Sequence, residues 1–416
     1  MRSTLLSLTA LLFSTLVLLM GSGLLGTVLG YHMGVEGLSA PRIGMIMAGF
    51  YLGMVLGGPL CYWVVARAGH IRAFAVFAAS ATAITLLHGL IFDAWVWFLL
   101  RVLNGASLLG MYVVIESWLN DRAQGPARAR VFSLYMVISF LGLGIGQFLL
   151  NLGTIEDASL YLIAGILFAL SLLPVALTRN VHPPAPTGTG SRLAYLLKLV
   201  PHGIGGSFVA GIAMGSFFAL GAVYAVQIGL EVQGISLLMG VTVLAGLFLQ
   251  WPIGRLSDFY DRLSVLMVLQ ALMAGLALMI ALTGVWHLYW LLLLGALFGG
   301  IGATLYPIAV AHVNDYADPA DLVATSSTLI KAYGVGAVTG PVGASLLMGL
   351  LGAPGLFVFV AIACGAGALA LLFRQRQDEE PTTQQRPFLS MPRSGSALIS
   401  ALDPRSWLDR RRSDRA

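Results

Sequence analysis

The sequence predicts an all-α polytopic membrane protein: twelve transmembrane helices in two six-helix, pseudo-symmetric bundles. Three observations carry that expectation. Charged residues make up only 10% of the chain against 58% hydrophobic, and mean hydropathy is +0.88. The apolar residues gather into twelve long segments, with the charges pushed into the short connections between them. The second half of the chain also repeats the first.

A bilayer core roughly 30 Å thick takes about 20 apolar helical residues per crossing. Lipid offers backbone amides no partner outside their own helix or a closed barrel. None of the segments alternates with period two, so each reads as a helix. The first half places its spans at 5–32, 40–65, 71–91, 94–119, 128–152 and 158–178. The second places them at 201–229, 235–256, 263–284, 287–311, 322–349 and 353–374. Span 1 is too long for the apolar core of a signal peptide, and no small-residue cleavage site follows it before span 2. Span 4 opens after Asp93, which suits a helix N-cap or an outer gate. Cys61 and Cys364 fall inside spans, where a packing role is expected and a secretory disulfide is not.

Residues 1–178 thus form an N-terminal bundle and 201–375 a C-terminal one. Between them, 179–200 reads as a cytoplasmic linker, with Arg179, the run His182-Pro183-Pro184-Ala185-Pro186 and Gly188 to Gly190. The tail from 376 to 416 turns polar, running from Asp378-Glu379-Glu380 to Trp407-Leu408-Asp409-Arg410-Arg411-Arg412, and disorder is its default. Ile399, Leu402, Trp407 and Leu408 beside those arginines offer a second reading, an end that rests on the inner leaflet.

Orientation follows from the basic residues, which are retained on the cytoplasmic side. Arg67, Arg72, Arg122, Arg128, Arg130, Arg179, Arg192, Lys198, Arg255 and Arg262 all lie in connections of one side, shared with Arg2 and the tail. The opposite connections hold Arg42 beside Glu36, Asp93, Glu156, Asp157 and Glu231. Both termini are therefore expected in the cytoplasm. The net charge of +5 restates these arginines, several near anionic head groups, and implies no nucleic-acid partner.

A shift of 194 residues lays span 4 on span 10. Leu99, Leu100, Leu103, Gly105, Tyr112, Asn120 and Asp121 meet Leu293, Leu294, Leu297, Gly299, Tyr306, Asn314 and Asp315. The same shift pairs Ser133, Gly142 and Gly146 with Ser327, Gly336 and Gly340. Halves of like orientation form a parallel repeat about an axis along the membrane normal. Glycines four apart, at 53/57, 142/146, 211/215, 295/299 and 336/340, let helix backbones approach in lipid.

On these residues the chain resembles the major facilitator superfamily over about residues 1–375. Gly254-Arg255-Leu256-Ser257-Asp258-Phe259-Tyr260-Asp261-Arg262 is similar to the family's signature G-x-L-x-D-x-x-G-R, with Asp261 in place of the second glycine. The resemblance implies a cytoplasmic gate at Gly254, Asp258 and Arg262, joined by Asp121 and Asp315. The matching loop, Ala66-Arg67-Ala68-Gly69-His70-Ile71-Arg72, keeps Gly69, Arg67 and Arg72 but has Ala66 where the acid belongs. Arg101-Val102-Leu103-Asn104-Gly105 resembles the intramembrane R-x-x-[QN]-G motif. Gly336-Ala337-Val338-Thr339-Gly340-Pro341 resembles the G-x-x-x-G-P pattern of drug antiporters, which in the family sits in span 5; there this chain has Gln147 for the proline. The resemblance also implies that spans 5 and 11 rub together across the halves. Gly69-His70-Ile71-Arg72, Ile115-Glu116-Ser117-Trp118-Leu119-Asn120-Asp121-Arg122 and Tyr306-Pro307-Ile308-Ala309-Val310-Ala311-His312 look like the YcaD-type group of bacterial transporters.

Ionisable side chains at membrane depth are costly and face a cavity or a partner by default. On span 4, Arg101, Asn104 and Tyr112 share a face, and Glu116 sits at its edge, roughly 22 Å along the axis from Arg101. On span 11, Lys331 lies near mid-membrane with Ser327 and Thr328; Tyr306 is the repeat partner of Tyr112. Arg101 and Lys331 read either as cations presented to a substrate or as packing cations bonded to carbonyls. Two intramembrane cations against one carboxylate point to an anionic substrate. Glu116 reads as a proton-coupling acid, or as a gate acid paired with Arg67 or Arg72. His312 with Asp315 reads as a gate or helix-end contact.

Several classes are excluded. The lysines, Lys198 and Lys331, follow Leu197 and Ile330, so no phosphate-binding G-x-x-x-x-G-K exists. No H-E-x-x-H and no zinc-spaced Cys/His cluster occurs. The expectation is a proton-coupled secondary transporter of a small solute, monomeric, without cofactor and not an enzyme. The alternative is a receptor or scaffold with a transporter fold that binds a solute without net flux.

Overall fold

The computed structural model describes residues 2–122, 127–177, 193, 196–197, 200–283, 287–317, 322–375 and 388. The 179–200 linker and the 376–416 tail lie outside the described residues, apart from a few positions. The first half contains α1 (Arg2–Val35), α2 (Ala40–Leu56), α3 (Gly58–Ala68), α4 (His70–Leu90), α5 (Ala94–Arg122), α6 (Ala127–Phe148) and α7 (Ser159–Ala176). The second contains α8 (Pro201–Gln227), α9 (Val232–Leu256), α10 (Arg262–Thr283), α11 (Leu288–Tyr316), α12 (Leu322–Leu351) and α13 (Gly355–Gln375). Among the described residues, eleven helices are long and apolar enough to cross a membrane, and α2 with α3 makes a twelfth.

That twelfth span corrects the expectation of one continuous helix over 40–65. It bends by 52° between Leu56 and Gly58. Gly57, Gly58 and Pro59 stand in a row, and Pro59 has no amide to continue the ladder. Gly57 and Gly53 lie against the α5 backbone at Ala106 and Val102, so the bend keeps the broken span pressed on α5.

The helix ends show how closely the halves correspond. Gly37 after α1 and Gly229 after α8 have φ of +70° and +79°. In each case the next amide reaches back five residues, Leu38 to the Met33 carbonyl and Leu230 to the Ala225 carbonyl. These are paired Schellman caps, which take glycine because a Cβ is disfavoured at positive φ. Asp93 is the expected N-cap: its Oδ1 accepts the amides of Trp95 and Val96, each at 3.0 Å.

Within each half the repeat packs in register. Gly105 of α5 lies against the Phe50 carbonyl of α2, and Gly299 of α11 against the Thr242 carbonyl of α9. Gly142 and Gly146 of α6 meet Leu16 and Met20 of α1; Gly336 and Gly340 of α12 meet Phe208 and Ile212 of α8. The expectation that spans 5 and 11 touch across the halves is therefore corrected. Their glycine faces are used up inside their own bundles.

The halves join instead through α1 with α8, α2 with α12, and α6 with α9. Ala222 and Val226 pack on Gly30 and Gly34, Pro41 on Gly349, Ser345 on Gly44, and Phe148 on Gly240. Asn151 Nδ2 donates to Ser236 Oγ at 2.9 Å. These contacts all lie toward the end that carries the 36–39 and 228–231 connections, called the outer end below. Small residues let the two bundles close there backbone to backbone.

Candidate functional site

A cavity of about 410 Å³ lies between the halves, walled by α1, α2, α3, α5 and α6 on one side and α8, α9 and α12 on the other. That is the size of a pocket for a small organic molecule. Ser22, Gly23, Gly26 and Thr27 of α1 and Gln147 of α6 form the part nearest the sealed end.

The close α2–α5 pairing at Gly105 sets Phe50 beside Arg101. The guanidinium carbon sits 4.5 Å from the ring centroid. Both line the cavity. Arg101 is only 5% exposed, and its Nε is buried without a hydrogen-bond partner. Tyr112, eleven residues on, returns to the same face and lines the cavity too. Asn104 and Glu116 fall on either flank of that face and are not in the wall. Asn104 is buried with its Nδ2 unpartnered, and Glu116 is 0% exposed.

Glu116 accepts a hydrogen bond from Tyr135 Oη of α6 at 3.0 Å. Arg67 and Arg72 are exposed, and Arg67 lies over the Trp63 ring at 5.6 Å. Neither is paired with Glu116 in this conformation among the described residues.

From α12, Ser327, Lys331 and Tyr333 enter the wall. Lys331 is exposed although it is mid-helix, because the cavity is open to water. Thr328 is buried and donates to the Ala324 carbonyl at 3.0 Å, off the wall. Tyr306 is buried behind Tyr333, their rings edge to face at 5.2 Å.

The expected gate residues of the second half converge. Arg262 is 1% exposed, with Nε 3.0 Å from Asp315 Oδ2 and Nη2 3.4 Å from Asp258 Oδ1. The Phe388 ring packs on Gly254, and its amide donates to Asp258 Oδ1 at 2.6 Å. In the first half Gly69 turns between α3 and α4 at φ +78°, while Asp121 is exposed at the end of α5. His312 stacks edge-on against Tyr316 at 5.2 Å, a helix-end contact.

Sequence reasoning missed part of the site. Gln147 is more than a departure from an antiporter pattern. Its Oε1 accepts from Thr27 Oγ1, and its Nε2 donates to the carbonyls of Gly23 and Leu143 at 3.2 and 3.1 Å, tying α6 to α1 at the cavity edge. An amide inside an apolar span was the available signal. Phe50, Tyr51, Tyr62 and Phe218 gave none, since aromatics in a span look alike whether they face lipid or a cavity.

Comparison with known proteins agrees with this architecture. The family model described as Major Facilitator Superfamily matches residues 11–234 and 203–412. An MFS-type transporter of Enterobacter sp. (strain 638) is 30% identical over 379 residues, covering 89% of this chain and 96% of its own length. The MFS-type transporter YcaD of Escherichia coli (strain K12 / DH10B) is 30% identical over 358 residues, covering 84% and 91%. Among solved structures, the nucleoside transporter NupG superposes with a TM-score of 0.75 at 13% identity, covering 91% of this chain and 100% of its own. A bacterial homologue of the human lysosomal transporter Spinster, inward-facing and occupied, gives 0.70 at 15%, covering 89% and 96%. At such identities the structural matches speak to the fold alone.

Proposed function

The chain belongs to the major facilitator superfamily, and from that premise we propose that it is a proton-coupled secondary transporter. It moves a small solute across the bacterial inner membrane by alternating access and performs no enzymatic chemistry. The observation that carries this reading is the central cavity, walled by both halves and closed at the outer end by contacts of small residues. A rocking motion about such a site exposes it to each side in turn. The arginine asymmetry places both termini in the cytoplasm, so the sealed end is periplasmic and the conformation faces inward. The protein works as a monomer, since the cavity is complete within one chain.

Glu116 is the coupling acid. It is buried one helical turn behind Tyr112, on the flank of the cavity face, at a depth where an ionised side chain is costly and protonation relieves that cost. Tyr135 Oη of α6 donates a hydrogen bond to it.

Proteoliposomes containing a pH dye test both statements when metabolites and drug-like solutes are screened. Solute-dependent proton movement is expected, and Glu116→Gln should abolish it while solute binding persists. Flux of a labelled solute without proton movement would overturn the coupling. Binding without any flux would replace the transporter with the receptor reading.

A further inference from the structure

We propose that the cavity takes an organic monocarboxylate with a flat aromatic body, its carboxylate seated at Arg101 and reached by Lys331 from the opposite half. The proposal rests on the transporter reading for its biological role, but its physical basis is the cavity wall.

Charge comes first. Arg101 and Lys331 are the charged residues of the wall, and among the described residues no Asp or Glu lines it. Arg101 makes no ion pair among the described residues, and its Nε is buried without an acceptor. The Phe50 ring lies 4.5 Å from the guanidinium carbon. A desolvated guanidinium without a counter-charge is an expensive arrangement, and a bound anion offsets that expense. The planar fork of arginine matches a carboxylate through two parallel hydrogen bonds.

The number of charges follows from exposure. Arg101 is desolvated and calls for one compensating negative charge. Lys331 is exposed and keeps its water, so it attracts an anion without demanding a second charge. A monoanion leaves the occupied site closest to neutral.

The body of the ligand is set by the remaining wall. Phe50, Tyr51, Tyr62, Tyr112, Phe218 and Tyr333 surround the space. Aromatic rings in offset or edge contact favour another flat ring. An aromatic box by itself also suits an organic cation. Two cations in the same wall reverse that preference, since like charges in low dielectric repel strongly. Because the cations belong to different halves, a carboxylate between them ties α5 to α12.

The test is binding to the purified full chain in detergent, by calorimetry, with four probes, the first three matched in size. These are 4-phenylbutyrate, its amide, 4-phenylbutylamine and hexanoate. The carboxylate should bind, the amide and amine about tenfold or more weakly, and hexanoate several-fold weaker for want of a ring. Arg101→Gln should weaken 4-phenylbutyrate roughly thirtyfold and leave the amide unchanged. Lys331→Gln should weaken it several-fold, with Lys331→Arg restoring it. If Arg101→Gln does not fold, the ranking of the isosteres on the wild type still decides. Tighter binding of the amine, equal binding of carboxylate and amide, or no binding of the carboxylate would overturn the proposal. Carboxylate binding without uptake into vesicles would overturn transport and leave the ligand class standing. Uptake of the amine alone would do the reverse.

Discussion

The inner corners of the two halves occupy equivalent places yet are held by different forces. In the second half, Arg262 is buried between Asp258 and Asp315, with Phe388 laid over Gly254 and bonded to the same Asp258. In the first half, Ala66 stands opposite Asp258 and His70 opposite Arg262. His70 is buried and stacks on Trp118 at 6.4 Å, while Arg67 and Arg72 remain exposed. One corner buries an arginine between two carboxylates; the other buries a histidine against a tryptophan ring. A pseudo-symmetric fold therefore conserves where helices meet, and leaves the chemistry of each meeting free to diverge.

The comparison breaks most sharply at Arg262. Arg262→Ala leaves Asp315, itself 2% exposed, without that cation. A loss of about 3–5 kcal/mol is expected, read as a fall in the thermal unfolding midpoint in detergent. An unchanged midpoint would mean that the corner is not held by charge. Next are Gly105→Ala and Gly299→Ala, which drive a Cβ to 1.9 Å from the Phe50 carbonyl oxygen and 2.0 Å from that of Thr242. Backbone cannot rotate aside, so each should cost about 1–3 kcal/mol. The two losses should also be equal within error, because the glycine contacts are the symmetric part of the fold. The smallest effect belongs to His70→Ala, where the stack contributes about 0.5–1.5 kcal/mol beyond its buried area. If His70→Ala destabilised as much as Arg262→Ala, the contrast between the corners would fail.

Much of the architecture is legible in the residues themselves. Twelve spans, two halves in register and the pairing of Gly105 with Gly299 follow from the chain alone. Lys331 also stands out, as a lysine too deep in its span to reach an interface. Glu116 illustrates the limit. Its depth marks it as important, but the choice between a gate pair with Arg67 or Arg72 and a buried hydrogen bond depends on a neighbour. That neighbour, Tyr135, lies on the next helix. The glycines of spans 5 and 11 mislead for a related reason. A small-residue stripe announces a close contact without saying which helix makes it, and here the partners are α1 and α8.

By itself, then, the sequence determined the membrane-spanning helices, their number and the repeat. Partition into lipid is a sum over some twenty residues and needs no knowledge of neighbours. It also marked the deep charges, because the cost of burying a charge is read from its position in a span. Only the tertiary structure decided that α2 bends away at Gly57, that the outer end is the sealed one, and that Arg101 rests on Phe50 within an aromatic cavity. Those outcomes depend on which faces of distant helices meet at backbone distance. Packing of that kind is settled by shape between residues far apart in the chain, where composition and periodicity carry no information.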